Sequence, residues 1–235
     1  MTTNMNLYRD YGRHKGYATP TLEPKHVRRL DAELWEPALC RSDMSFLEIG
    51  SGTGLVLSYL HDKGVKDFQG IDFDSRLLDV IPREVRSRFS VMDVWDFLKE
   101  RKPHEYFDRI ILFDVLEHFV IEDCFRLLCS LEALLHPEGG MVLRLPNNAS
   151  PWGAQFQYGD VTHKAAFTPE SLRQLALSSG LKVSRCWPHP LGSPSRRVLD
   201  TILHKLLDRI VMTPPEIWTG NFFAYLDRES TPPAR

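Results

Sequence analysis

The segment Phe46-Leu-Glu-Ile-Gly-Ser-Gly-Thr-Gly54 constrains this chain more than any other. An apolar, β-prone run stops at three alternating glycines, and a helical run begins at Leu55. A strand that passes into a helix through so short a turn belongs to a parallel sheet, because parallel strands need crossovers and cannot be joined by hairpins. Glycine suits the turn because it adopts conformations other residues resist and lets a ligand approach the backbone closely. In an open parallel sheet this first turn faces the crevice at the C-terminal ends of the strands, where free backbone amides bind cofactors.

The rest of the chain fits that frame. Apolar and β-branched runs predict strands over 44–49, 69–73, 89–92, 107–114, 141–145, 181–186 and 218–226. Helical periodicity predicts helices over 55–62, from an N-cap at Ser75 through 78, over 123–135, 168–179 and 198–212. The helix at 123–135 is expected to stop at Pro137 and the Gly139-Gly140 pair. The fold expected is α/β: a three-layer α/β/α sandwich around a mostly parallel sheet of these seven strands. Between 146 and 167 the periodicity lapses, and a long loop inside a compact domain is usually functional. One domain over 1–235 is expected. It comprises an N-terminal lid or helical extension (1–43), a cofactor-binding core (44–145), a substrate loop (146–167), a C-terminal half (168–228) and a disordered tail (229–235).

Composition narrows the function. With 235 residues, 43% of them hydrophobic, the chain can build one sizeable core. A formal net charge of -2 leaves no broad basic field for nucleic acid. Cys40, Cys124, Cys129 and Cys186 form no CxxC pair and read as reduced thiols. There is no N-terminal apolar h-region and no run of about 20 apolar residues, so the expectation is a cytoplasmic protein without a transmembrane segment, monomeric or homodimeric. The stripe Leu199, Ile202, Leu203, Leu206, Leu207 and Ile210 reads as core or dimer surface rather than membrane anchor.

The glycine spacing excludes one cofactor class. A dinucleotide fingerprint, G-x-G-x-x-G, would need a small residue at position 55, where this chain has Leu55. An acidic residue, an apolar residue and then G-x-G-x-G, with Glu48 in the acidic position, resembles instead the class I S-adenosylmethionine-dependent methyltransferases, which share a Rossmann-like sheet. Gly70-Ile-Asp-Phe-Asp74 is similar to that family's second-strand end. The resemblance implies that Asp72 holds the ribose hydroxyls, as a carboxylate accepting from a vicinal diol, with Phe73 beside the adenine. Met92-Asp-Val94 resembles the adenine contact, with Asp93 accepting from the exocyclic amine and Asp96 the rival position. The cofactor residues implied are therefore Glu48, Gly50, Gly52, Gly54, Asp72, Phe73, Asp93, Val94 and Phe113.

Phe113-Asp-Val-Leu-Glu-His118 resembles the fourth-strand motif of small-molecule methyltransferases. If a helical turn follows the strand, Asp114, Glu117 and His118 converge on the crevice. In one reading Asp114 bonds near the methionine moiety while Glu117 and His118 orient loops. In the other, the similarity to the E-x-x-E-H cluster of ubiquinone-pathway and small-RNA methyltransferases makes Asp114, Glu117, His118 and His163 ligands of Mg²⁺ or Mn²⁺. His118, His163 and Asp114 are the expected catalytic groups, since a sugar hydroxyl needs a base or Lewis acid to become a nucleophile. The Pro146-Asn-Asn and Tyr158-Gly-Asp-Val-Thr-His163 segments resemble methyltransferases found with bacterial surface-polysaccharide biosynthesis, of the methyltransferase domain 23-like kind. That resemblance implies O-methylation of a saccharide or saccharide-bearing precursor, with Asn147, Trp152, Tyr158 and Asp160 at the substrate. A phenolic or quinone-like acceptor, or a non-catalytic S-adenosylmethionine-binding module, are the alternatives. Tyr8, Tyr11, Arg13, His14 and Tyr17 form either a lid over the cofactor or a loose tail.

Overall fold

A computed structural model describes residues 7–101 and 105–229; the tail expected at 229–235 lies outside them except for Glu229. The strands are β1 (Ser45–Ile49), β2 (Asp67–Asp72), β3 (Phe89–Val91), β4 (Phe107–Phe113), β5 (Leu135–Pro146), β6 (Leu181–Pro188) and β7 (Asn221–Arg228). They form one seven-stranded sheet in the order β3-β2-β1-β4-β5-β7-β6. β1 to β5 pair in parallel, and β7 runs antiparallel between β5 and β6. This is the Rossmann-like, mostly parallel arrangement that the strand pattern predicts. The strand order reverses between β1 and β4, so the crevice of an open sheet lies at their C-terminal ends.

Helices cover both faces because the strands alternate apolar side chains to each. One face carries Phe46, Ile111, Val142 and Phe223, packed under Leu30 of α2 (Pro24–Leu30), Leu34, and Leu57, Tyr59 and Leu60 of α3 (Leu55–Asp62). The opposite face carries Leu47, Ile110, Leu112 and Leu143. They pack under Phe97 of α4 (Val94–Glu100), Leu127 and Leu131 of α5 (Ile121–Glu132) and Leu172 of α7 (Pro169–Ser178). Each such fully buried side chain contributes about 1.5–3 kcal/mol. Before α2 stands the short α1 (Tyr11–Lys15), and the loop at 146–167 contains the short α6 (Ala154–Gln157).

Several local expectations are corrected. Pro137 and Gly139-Gly140 lie inside β5 rather than ending a helix, and α5 stops at Glu132. The pairing of β4 with β5 jumps from Phe107↔Leu135 to Arg109↔Gly140, so the extra residues bulge out of the ladder. A Cβ on Gly140 would stand 2.3 Å from the Tyr225 ring, which is why that crossing needs glycine. Asp74, not Ser75, caps the turn at Ser75–Asp79, its carboxylate accepting from the Arg76 amide at 3.1 Å. α4, which follows an Asp93 cap, is too short for its periodicity to stand out in the sequence. The C-terminal helix α8 (Pro194–Ile210) buries none of its residues, so its apolar stripe is not core. Among the described residues no helix is long and apolar enough to cross a membrane.

Candidate active site

The loop between β1 and α3 has Gly50, Gly52 and Gly54 at φ 70°, 51° and 84°, the left-handed region that favours glycine. The three differ in surroundings. A Cβ on Gly50 would lie 2.6 Å from Val115 and one on Gly54 2.9 Å from Ile81, whereas one on Gly52 would meet nothing within 4 Å. Gly52 is therefore where backbone lies open to the crevice. Its amide donates to Asp72 Oδ2 at 3.0 Å, and the Asp74 amide donates to Oδ1 at 3.0 Å, which aims this carboxylate over the loop. Burial raises the Asp72 pKa above the usual carboxylate range despite those donors. Glu48 stands buried at the β1 end with Oε2 unpartnered, and burial again pushes its pKa well up. An open glycine backbone, a carboxylate at the β2 end and an unpartnered acid beneath them fit an adenosyl ligand with hydroxyl and ammonium groups.

The other expected cofactor residues fall in mixed places. The Phe73 ring is 54% exposed and meets Tyr8 edge-on at 5.2 Å, leaving one apolar wall at the crevice. Asp93 is spent in part on capping α4, Oδ1 accepting from the Trp95 amide at 2.8 Å. The Val94 side chain packs in the core. Phe113 packs against Phe223 at 5.4 Å, with the Arg144 guanidinium over its ring.

The four groups expected around a metal do not converge. Asp114 sits at φ 55°, a conformation aspartate tolerates better than most residues, and both its oxygens accept from Arg144, one of them in a very short contact. Burial pushes the Asp114 pKa up, but the Arg144 charge outweighs it and holds the carboxyl below its usual range. Glu117 is fully enclosed with both carboxyl oxygens unpartnered. Burial, then the Asp114 charge, raises its pKa well above normal. Its carbonyl accepts the Lys164 and Ala165 amides, which ties the β4 end to the later histidine segment.

What gathers instead is His118, Asp160 and His163, whose potential ligand atoms lie within 4.8 Å of one another. The two imidazoles meet edge to face at 4.7 Å. Thr162 gives its hydroxyl hydrogen to Asp160 Oδ1, so at 2.9 Å it accepts from His118 Nδ1. His163 Nδ1 faces the Gln157 carbonyl at 2.9 Å, which can only accept. In a neutral ring held this way, the lone pair is on Nε2. Burial, then His163, lowers the His118 pKa to about 4, so this ring is neutral near pH 7. Asp160 Oδ2 accepts from Tyr11 at 3.1 Å and pairs with Lys15 at 2.8 Å. Burial raises its pKa, but Lys15 and Thr162 outweigh this and hold the carboxyl well below the usual range. Lys15 already supplies a positive charge to Asp160 of that trio.

Of the expected substrate residues, Asn147 is a buried brace, donating to the Ile217 carbonyl at 2.7 Å and the Thr219 carbonyl at 3.1 Å. Asp160 is committed to Lys15, Tyr11 and Thr162. Trp152 and Tyr158 are 44% and 78% exposed, with rings free to meet a ligand. Sequence reasoning passed over Arg144, although a lone arginine in an apolar central strand was a visible signal. Thr162 stands in the Tyr158–His163 motif, whereas Gln157 and Lys15 carried no signal, because only the folded loops bring them to the histidines.

A family model described as "Methyltransferase domain" matches residues 23–185. No curated protein matches the chain in sequence. Among solved structures, a SAM-dependent methyltransferase from Archaeoglobus fulgidus is 20% identical with a TM-score of 0.66, covering 95% of this chain and 98% of that one. A S-adenosylmethionine-dependent methyltransferase from Clostridium acetobutylicum is 12% identical at 0.60, covering 95% and 97%. A Burkholderia thailandensis N1-methyltransferase with bound S-adenosylhomocysteine and 1,6-didemethyltoxoflavin is 15% identical at 0.58, covering 95% and 84%. At these identities the likeness is one of fold.

Proposed function

Because the chain belongs to the methyltransferase-domain family, an S-adenosylmethionine-dependent group, we propose that it O-methylates a hydroxyl of a saccharide or saccharide-bearing precursor. The observation that carries this reading is the pair of imidazoles beside the crevice, whose Nδ1 atoms face Thr162 and the Gln157 carbonyl and whose Nε2 atoms are therefore the ones available to take a proton. A sugar hydroxyl is far less acidic than a phenol and gains more from a base. The exposed Trp152 and Tyr158 rings suit the apolar faces of a sugar.

When bound, S-adenosylmethionine supplies a methyl already activated by its sulfonium. Asp72 and the Gly52 backbone hold the adenosyl part, with Phe73 as a wall. His163 Nε2 would take the proton of the acceptor hydroxyl, while the bound cofactor would supply the methyl group. The Gln157 carbonyl orients His163 through Nδ1, and His118 adds a second acceptor. Residues 7–17 close the site: Tyr8 lies on Phe73 and His118, while Tyr11 and Lys15 clamp Asp160. Lys15 already answers the Asp160 charge, and in this reading histidine alone takes the proton.

The test is methyl transfer from labelled cofactor to a panel of glycans and phenols, with and without a chelator. Label on a sugar oxygen, undiminished by chelator, is expected. His163→Ala should lower kcat by about 10²–10⁴ without changing cofactor affinity. Label confined to phenols, or full turnover in His163→Ala, overturns the proposal.

A further inference from the structure

Helix α8 meets the body of the protein with its polar face and turns its apolar face to solvent. His204 stacks on Trp218 with ring centroids 5.5 Å apart, and Asp208 accepts from Trp218 Nε1 at 2.7 Å. On the outer side Leu199 is 67% exposed, Ile202 59%, Leu206 52% and Ile210 66%, and Met212 just beyond the helix is 99% exposed. At 3.6 residues per turn these positions share one face. A contiguous exposed apolar surface of this kind marks an interaction site.

The charges around that face identify the partner. α8 carries four basic residues, Arg196, Arg197, Lys205 and Arg209, against two acids, Asp200 and Asp208, a local balance of 4 − 2 = +2. The whole chain is at -2. Helical spacing sets Arg196 at one margin of the apolar stripe and Arg209, with Lys205 beside it, at the other. Asp208 is held by Trp218, and Asp200, one turn on from Arg196, lies 3.6 Å from His204. A second copy docked through the same face would bring a net positive helix against a net positive helix. An anionic surface complements both margins.

We propose that α8 is a docking surface for an anionic phospholipid bilayer. The helix lies in the interface, its Leu and Ile side chains in the acyl boundary and its Arg and Lys side chains reaching back to the headgroups. The docked face also has a defined relation to the crevice. Trp218 joins α8 to a segment whose carbonyls at Ile217, Trp218 and Thr219 accept from Asn147 and Ser150 of the crevice loop. The proposal stands on α8 alone and does not depend on the identity of the methyl acceptor.

The experiment is co-sedimentation of the full chain with vesicles of phosphatidylcholine, with and without phosphatidylglycerol. Binding is expected to the mixed vesicles only and to be released by salt. Ile202→Glu and Leu206→Glu alter exposed positions and should melt like the parent protein while losing vesicle binding at least tenfold. Lys205→Gln should weaken it about fivefold, the worth of one basic residue near such a surface. Failure to bind the mixed vesicles, or equal binding to both kinds, overturns the proposal. So does a dimer in sedimentation velocity that Ile202→Glu dissociates while the parent ignores vesicles; the face then belongs to a second copy.

Discussion

Gly50 and Gly52 look equivalent in the motif, yet the fold gives them different work. Gly50 sits against Val115 and Gly52 faces open space. Gly50→Ala should therefore lose about 2–5 kcal/mol of stability, from left-handed strain and a forced contact together. Gly52→Ala should lose only about 1–2 kcal/mol from strain, but its methyl would enter the crevice and weaken S-adenosylmethionine binding at least tenfold. Urea melts and calorimetric titration of the two variants check this; wild-type affinity in Gly52→Ala would show that the loop is not the cradle. The motif was legible at this scale because a tight turn admits few residue types. The partners of Asp114 were not legible, since Arg144 is 30 positions away and adjacent only through the pairing of β4 with β5.

At the scale of elements, the N-terminal segment shows how one side chain can hold a covering piece in place. Arg76 donates to the carbonyls of Arg9 at 2.6 Å and Tyr8 at 3.0 Å while pairing with Asp74. Arg76→Ala should free residues 7–17, which amide exchange would register as faster labelling of that segment with the sheet unchanged. kcat/KM should fall several-fold through KM. Unaltered exchange would mean that the aromatic contacts of Tyr8 and Tyr11 suffice. The same scale explains which elements were readable. β1, β4 and α3 carry long, uninterrupted patterns. β5 hides its length because Pro137 and Gly139-Gly140 mimic a helix stop, and only the register jump shows them to be a bulge.

Across the whole molecule, the buried titratable groups set opposing dependences on pH. His118 takes its proton at about 4 in the fold but at 6.5 when free, so unfolding consumes a proton between those values. Its contribution is intact above pH 6.5 and is lost as pH falls toward 4. Glu117 is the reverse: its pKa is raised in the fold, so stability grows as pH falls from that raised value toward 4.5. Thermal melts should show His118→Gln gaining on the wild type between pH 6.5 and 4, and Glu117→Gln losing its advantage over the same descent. Parallel curves for all three proteins would show that neither group titrates as its burial implies.

The sequence by itself determined the sheet, the glycine turn and the carboxylate at Asp72. Each is a local matter, governed by side-chain period and by backbone conformations that few residues accept. Tertiary structure alone decided the polar site and the outer surface. It turned Asp114 to Arg144, enclosed Glu117, and set Asp160 beside two histidines under Tyr11 and Lys15. It also rotated α8 so that its apolar stripe faces out. These outcomes depend on which chain segments meet across the sheet's C-terminal edge and on which side of a helix Trp218 holds, neither of which a pattern along the chain encodes.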